Sequence, residues 1–212
     1  MRVPVPPKLP PTLSTAVVEI ADEVLVAGRD LADVDLSGQV AEAVEFERCR
    51  FTRTSLAGTE LERASFVDCA VDQSDWANLR TRKSTLQRVA VANGRLTGLQ
   101  WVDGVLRDVV FRECRADLAM FRFSRFKDVE FAGCALTRAD FTGADLRGAR
   151  FTGCDLAGAQ FAEARAEGAR FADCDLTGAG SVANLRGAVL AEVDLSALAR
   201  TFADALGIVI EG

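Results

Sequence analysis

Large apolar residues recur at every fifth position over most of this 212-residue chain. Between residues 134 and 178 the unit repeats without a break, with Ala or Cys two positions before each Leu or Phe and usually Gly two positions after it. The units 139–143 (Ala-Asp-Phe-Thr-Gly) and 144–148 (Ala-Asp-Leu-Arg-Gly) show the pattern. Five residues rotate about 140° around a helix and end on the opposite face of a strand, so neither element accommodates it.

The pattern fits a chain that turns a corner after each unit. The large apolar residue and the small residue before it then point inward, and the other three positions point outward. Four corners close a square, so one coil takes about 20 residues and stacks on the next by parallel pairing at roughly 4.8 Å. Gly after the apolar residue gives the corner the backbone freedom that it needs.

A coil of this length predicts that residues 20 positions apart share a wall and a chemistry. The predicted core columns are Phe111, Phe131, Phe151 and Phe171, the opposite Phe121, Phe141 and Phe161, and between them Leu136, Leu156 and Leu176. All six cysteines fall in the small inward slot, four of them in one column. We therefore predict buried, reduced thiols. Disulfides suit stacked parallel side chains less well, and a straight column cannot supply tetrahedral metal ligands.

The Ala-Asp-Leu/Phe unit, as in residues 139–148, resembles the pentapeptide-repeat family over residues 31–195. The resemblance implies an all-β fold, a right-handed quadrilateral parallel β-helix with 20 residues per coil, to which this chain adds a short C-terminal helix. We divide the chain into an arm and N-terminal cap (1–28), the β-helix (29–195), and a C-terminal helix and tail (196–212).

The first eleven residues contain all five prolines of the chain. Such a segment favours an extended polyproline conformation. It is either a flexible leader or an arm that clasps a partner or the coil. Residues 15–28 alternate loosely and predict short strands that begin or cover the first coil.

Two stretches depart from the repeat and are the candidate partner-binding sites. In the first, residues 72–105, polar Thr81 stands at a core position amid the densest basic cluster, which predicts a bulge or small loop. This cluster is either a solvated corner or a contact for an acidic partner, and its members are Arg80, Arg82, Lys83 and Arg88. In the second, Leu118, Met120 and Phe123 fall on outward slots. They form either a binding patch or local packing under a corner or the N-terminal arm.

After Leu176 the frame slips by one residue, and a helix capped by Asp194 or Ser196 is expected to run to about Leu206 and end at Gly207. Residues 208–210 predict a short strand. Because this module is apolar, it either covers the last coil or joins two chains. Its candidate capping or dimerisation residues are Leu198, Phe202, Leu206, Ile208 and Ile210. The gyrase-acting members of the family dimerise through this helix, so the resemblance implies a homodimer.

The composition argues against catalysis. The chain has no His and no Tyr, and its carboxylates recur with the repeat instead of converging. We expect no catalytic, metal or cofactor site. The net charge of −6 is spread as mixed acids and bases, which argues against direct nucleic-acid binding. No long apolar run or signal pattern is present, so we expect a cytoplasmic protein without a membrane span.

The resemblance implies an interaction protein. The chain is similar to the quinolone-resistance members (Qnr-type and Mfp-type), which occupy the DNA-binding saddle of gyrase. The first hypothesis is a rod that binds DNA gyrase or topoisomerase IV as a DNA-shape mimic and modulates it or protects it from inhibitors. The mixed charge of the coil departs from electrostatic mimicry. The second hypothesis is a structural or adaptor module with an unidentified protein partner.

Overall fold

The chain forms a β-solenoid of about eight coils, closed at its C-terminal end by a short helix. The computed structural model describes residues 2–15, 19–192, 195–205 and 207–209. Every strand pair in these residues is parallel, and up to Phe171 each coil pairs with the next at a separation of 20 residues, as in Phe46 with Phe66. The predicted fold class is therefore confirmed.

The strands are short because the chain turns a corner after each one. They are β1 (Leu25–Ala27), β2 (Asp30–Ala32), β3 (Val40–Glu42), β4 (Glu45–Glu47), β5 (Arg50–Thr52), β6 (Glu60–Glu62), β7 (Ser65–Val67), β8 (Ala70–Asp72), β9 (Arg80–Arg82), β10 (Thr85–Ala92), β11 (Gln100–Val102), β12 (Val105–Arg112), β13 (Arg125–Ala132), β14 (Ala149–Thr152), β15 (Arg170–Ala172) and β16 (Val189–Leu190). A 3-10 helix spans Val182–Leu185, and helix α1 spans Leu195–Ala205.

Four walls surround the core, and we number them in chain order. Wall 1 holds Phe46, Phe66, Leu86, Leu106 and Phe126; wall 2 holds Phe51, Val71, Val91, Phe111, Phe131, Phe151 and Phe171; wall 3 holds Leu56, Trp76, Leu96, Leu136, Leu156 and Leu176; wall 4 holds Leu61, Thr81, Trp101, Phe121, Phe141 and Phe161. Strands β10, β12 and β13 each continue around the corner from wall 1 to wall 2. On wall 3 the coils pair through single bridges.

The inward columns are fully buried and stacked. Successive Phe rings of wall 2 from Phe111 to Phe171 lie 4.6, 5.0 and 4.8 Å apart between centroids and within 8° of parallel. On wall 4 the rings of Phe121, Phe141 and Phe161 are 5.5 Å apart. The Leu136, Leu156 and Leu176 column between them is equally buried. A narrow lumen of this kind is a packed core with no internal channel for a ligand.

The structure contains no insertion in residues 72–105, so the expected bulge or loop is wrong. Strand β9 pairs in register with β6 and β11, and Thr81 stands between Leu61 and Trp101. The Thr81 hydroxyl donates a hydrogen bond to the carbonyl of Gln100 (3.2 Å). A polar side chain therefore occupies the core slot without disturbing the coil because its hydroxyl is satisfied by the adjacent backbone.

The last coil shows the expected slip of one residue. Phe171 pairs with Leu190, a separation of 19 instead of 20, and Ser181 is exposed with a left-handed backbone (φ 58°). The 3-10 helix buries Val182 and Leu185 at this end of the core. The expected strand at 208–210 is not formed by Ile208 and Val209. Ile210 lies outside the described residues.

Candidate interaction surfaces

Wall 4 carries most of the residues that the sequence singled out. Strand pairing sets Arg80 beside Glu60 and Gln100, and Gln100 bridges to Met120. The basic residues and the apolar residues therefore lie two coils apart on the same wall, although the chain separates them by about 40 positions. The sequence treated them as two alternative sites, and the fold joins them into one surface.

The basic part of wall 4 consists of Arg80, Arg82 and Lys83. It lies between a coil that carries carboxylates and a coil that carries uncharged residues on this wall. Arg80 contacts the carboxylate of Glu60 one coil before it. Arg82 and Lys83 make no ion pair within the described residues, and Lys83 stands at the corner toward wall 1 (φ 53°). A shallow groove of about 590 Å³ runs along this wall over Glu42, Glu60 and Glu62 to Arg80, Arg82 and Val102. Its charge thus changes sign along the rod.

The apolar part of wall 4 is an exposed band across one coil, formed by Leu118, Met120 and Phe123. Leu118 and Phe123 are 44% and 49% exposed, and Met120 is half-buried. Leu118 and Phe123 occupy the two corners of the wall with left-handed backbones, φ 59° and 57°. The other left-handed corner positions carry Gly, a charged or amide residue, Ala43 or Ser181, so two large apolar side chains here are conspicuous. The N-terminal arm lies on another wall, so this band is not packing under that arm.

Phe123 contacts one neighbour on the next coil and one on its own coil. Its ring covers Gly143 one coil further on, where a Cβ atom would clash with the ring. The guanidinium of Arg122 lies 5.8 Å from the ring centroid. These contacts place the ring over the next coil and leave about half of it exposed.

Arg88 does not belong to this surface. It stands at the corner between walls 1 and 2, where its guanidinium makes two hydrogen bonds to the carboxylate of Asp68 (2.7 and 2.6 Å). The bond from Arg88 is the largest cause that lowers the pKa of Asp68, against the opposing effect of burial. The sequence placed Arg88 with Arg80, Arg82 and Lys83 because they are close along the chain. In the folded coil, Arg88 lies at the opposite edge of wall 1 from Lys83.

The C-terminal helix lies against the end of the core. Leu198 is buried, and Phe202 packs partly buried against the core cluster. Ile208 is 54% exposed and its N–H donates to the carbonyl of Ala203 (2.8 Å). Leu206 and Ile210 lie outside the described residues. Of the predicted capping residues, Leu198 and Phe202 thus cover the end of the core, whereas Ile208 is exposed to solvent.

All six cysteines are free and buried, in two separate columns. In the column of two, a hydrogen bond from Cys69 lowers the pKa of Cys49 to about 7, and burial raises the pKa of Cys69. In the column of four, a hydrogen bond with Cys154 raises the pKa of Cys174. Each thiol also lies near backbone carbonyls, for example 3.2 Å from Cys49 Sγ to Val26 O. No group of three or more His, Cys, Asp or Glu able to hold a metal occurs among the described residues.

The sequence reasoning missed how the N-terminal arm is held. Asp68 and Asp108 occupy the same corner column as Arg88, and each accepts a hydrogen bond from the arm backbone, from Lys8 N and Val5 N (both 3.0 Å). The outward slots beside them carry Ala90 and Val110, which are apolar where most outward slots are polar. This run of small apolar residues at outward slots was the sequence signal from which a covered surface could have been predicted.

The comparisons with known proteins agree with this architecture. The family model of the pentapeptide repeat region matches residues 44–121, 84–161 and 124–199, which together cover most of the chain. The protein is therefore a repeat scaffold, and it belongs to the pentapeptide-repeat family. No helix of the described residues is long and apolar enough to cross a membrane.

Several solved structures are similar to this chain. HetL, a pentapeptide repeat protein involved in heterocyst differentiation regulation from the cyanobacterium Nostoc, is 18% identical over 79% of this chain and 87% of its own, with a TM-score of 0.36. Full-length QnrB1, a plasmid-mediated fluoroquinolone resistance protein, is 20% identical over 84% and 98%, with a TM-score of 0.25. At these TM-scores the likenesses carry no further argument. A search of curated proteins found no significant match.

Proposed function

We propose that this chain is a non-enzymatic protein-interaction rod that contacts a protein partner through wall 4. The observation that carries the proposal is the exposed band of Leu118, Met120 and Phe123, which shares a wall with Arg80 and Arg82. Exposed apolar side chains grouped beside charged ones are typical of protein contacts. A rigid coil holds them in place without ordering cost on binding, which favours affinity.

The partner that we propose first is DNA gyrase or topoisomerase IV. The support is the resemblance to the quinolone-resistance members of the family and the long uninterrupted coil. On this proposal the rod acts as a mimic of DNA shape, and it modulates the enzyme or protects it from inhibitors. Mimicry of charge has less support, because many carboxylates pair with an Arg one coil away, as in Asp33 with Arg53 and Asp75 with Arg95. We propose no direct binding of the rod to nucleic acid.

The alternative proposal is a structural or adaptor module that uses wall 4 for another protein. Purified gyrase and topoisomerase IV from a plausible host, tested for binding to the immobilised protein, distinguish the two. Saturable binding that is weakened by Phe123→Ser supports the topoisomerase proposal. Binding that Phe123→Ser leaves unchanged contradicts the role of wall 4, and no binding to either enzyme leaves the adaptor proposal.

We also propose that two chains pair through their C-terminal ends. The support is the exposure of Ile208 (54%) and Val209 (84%) next to the capping helix. Sedimentation equilibrium tests it. We expect a dimer that Val209→Glu converts to a monomer, whereas Val40→Glu, at an exposed site (74%) near the other end of the rod, leaves the dimer intact. A monomeric wild-type protein at micromolar concentration contradicts the proposal.

A cytoplasmic location completes the proposal. Its support is the set of six free cysteines, since reducing compartments keep thiols unpaired. Fractionation of host cells with an antibody against the chain tests it. Recovery in the cytoplasmic fraction is expected, and recovery outside the cytoplasm contradicts it.

A further inference from the structure

The N-terminal arm crosses several coils without becoming part of them. The Arg150 guanidinium donates a hydrogen bond to the Arg2 carbonyl (3.0 Å), and the Lys8 backbone N–H donates one to the Asp68 carboxylate. Ser14 pairs with Arg29 on the first coils. Residues 2–10 have no helix or strand, and only Pro4 among residues 2–8 is buried. The arm is thus an extended ligand laid along the rod, and we call residues 2–8 the strap.

Two nearly buried carboxylates recognise the strap. Asp108 Oδ1 accepts from Val5 N (3.0 Å) and from the guanidinium of Arg2 (3.1 Å), and Asp68 Oδ1 accepts from Lys8 N (3.0 Å). Asp68 and Asp108 are only 7% and 6% exposed. Arg88 stands between them and pairs with Asp68. Carboxylates that accept main-chain N–H groups bind an extended backbone without regard to most of its side chains.

Small apolar side chains form the floor beneath the strap. The outward slots of wall 2 carry Ala70, Ala90 and Val110 on three successive coils, followed by Glu130 and Arg150. A mainly apolar cavity of about 340 Å³ remains between residues 3–7 of the strap and this floor, with Arg112 and Glu130 at its edge. The strap therefore covers the floor incompletely, and the groove has room for bulkier side chains than its own Val and Pro.

We propose that this corner of walls 1 and 2 is a docking groove for an extended, proline-containing segment of a partner protein with a basic residue near its N-terminal end, and that the strap is its intramolecular occupant. The strap shows the chemistry that the groove accepts: a proline-rich backbone, apolar side chains toward Ala90 and Val110, and one cation at Asp108. A preformed polyproline backbone loses little conformational entropy on binding. The groove lies at the corner of walls 1 and 2, away from the contact surface on wall 4. A result that contradicts one of the two proposals therefore does not affect the other.

The test uses the full-length chain with the strap weakened by Arg2→Asp and Pro4→Asp, which set negative charge against Asp108 and Glu130. The probe is a dye-labelled peptide with the sequence of residues 1–12, followed by fluorescence anisotropy. We expect saturable binding that is at least about tenfold tighter than binding to the wild type, where the tethered strap competes at high effective concentration. A scrambled peptide of the same composition should not bind.

The carboxylate variants make the test specific. In the weakened-strap background, Asp108→Asn should reduce peptide affinity by roughly fivefold, since a charged acceptor binds more strongly than a neutral one. Asp103→Asn, at the corner between walls 4 and 1 on the other side of wall 1 from the strap, should leave it unchanged. Equal peptide binding by the wild type and the weakened-strap chain, or no effect of Asp108→Asn, would overturn the proposal.

A second measurement holds even if the weakened-strap chain does not fold. Val3 is 69% exposed and the six native thiols are buried, so Val3→Cys can carry an environment-sensitive dye in an otherwise intact chain. Excess unlabelled peptide should shift the dye emission toward that of a solvated strap at about millimolar concentration, since the tethered strap competes at an effective concentration of that order. The scrambled peptide should leave the emission unchanged. No shift at any concentration of the residues 1–12 peptide contradicts a groove that exchanges its occupant.

Discussion

At the scale of single residues, position within the five-residue unit decides between core and surface. Phe141 and Phe123 are both large aromatic residues of wall 4, on adjacent coils. Phe141 is fully buried between Phe121 and Phe161, whereas Phe123, at a corner, is 49% exposed. The difference follows from their positions two residues apart in the unit, since the corner residue points outward.

Truncation of these two residues should therefore have unequal costs. Phe141→Ala should reduce the free energy of unfolding by about 3–5 kcal/mol, because it opens a cavity in a stacked column that cannot collapse. Phe123→Ala should reduce it by about 1 kcal/mol or less, since the ring buries only part of its area. Chemical denaturation of both variants measures this. Equal losses would contradict the assignment of inward and outward slots.

A second residue-scale prediction concerns the Asp68–Arg88 pair. Since the folded state lowers the pKa of Asp68, the pair stabilises the fold above the carboxyl's usual pKa of roughly 4. That stability is lost as the pH falls through the lower, folded pKa. Asp68→Asn should thus cost about 1–2 kcal/mol at neutral pH and progressively less below about pH 4.

Urea denaturation of the wild type and Asp68→Asn from pH 7 to pH 2.5 measures this difference. Asp128→Asn is the control, because Asp128 shares the corner column and makes no ion pair within the described residues. A cost for Asp68→Asn that does not change with pH would show that the carboxylate charge contributes nothing to the stability of the corner.

At the scale of elements, the repeat determined the coil, its frame and its columns, because each unit places the same chemistry at the same corner. The polar Thr81 suggested an irregular segment that the fold does not have. The residues next to Thr81 in the chain could not show that its hydroxyl reaches the carbonyl of Gln100 on the next coil.

The position of the strap could not be predicted from the repeat. Its contacts with Asp68 and Asp108 span 60 and 103 positions, and no repeat predicts pairing of a unique segment with a periodic surface.

The cysteine columns give an element-scale prediction. Their thiols are at most 6% exposed in the folded chain, whatever the direction of each pKa shift, so access and not acidity should limit their reactivity. In the native protein a maleimide or disulfide reagent should label Cys134 and Cys154 only at the rate of unfolding. Labelling kinetics in increasing urea, followed by mass spectrometry, test this. Rapid labelling of either residue without denaturant would contradict the inward slot.

At the scale of the whole molecule, the fold converts a one-dimensional repeat into a rod with distinct sides. The strap occupies the corner of walls 1 and 2, helix α1 covers the C-terminal end, and wall 4 keeps an exposed apolar band beside a change of charge. The sequence contained both halves of the wall-4 surface. It could not bring them together, because adjacency on a wall depends on the stacking of coils and not on distance along the chain.

The measurement that tests the account most directly is a gyrase supercoiling assay with purified protein, with and without a fluoroquinolone. We predict inhibition or protection at micromolar concentration or below, lost when Leu118, Met120 and Phe123 are all changed to Ser. The control changes Leu25 and Val105 to Ser, since both are exposed apolar residues of wall 1. It should act like the wild type. An effect on supercoiling that survives the wall-4 changes would contradict the assigned surface, and no effect of the wild type would contradict the topoisomerase as its partner.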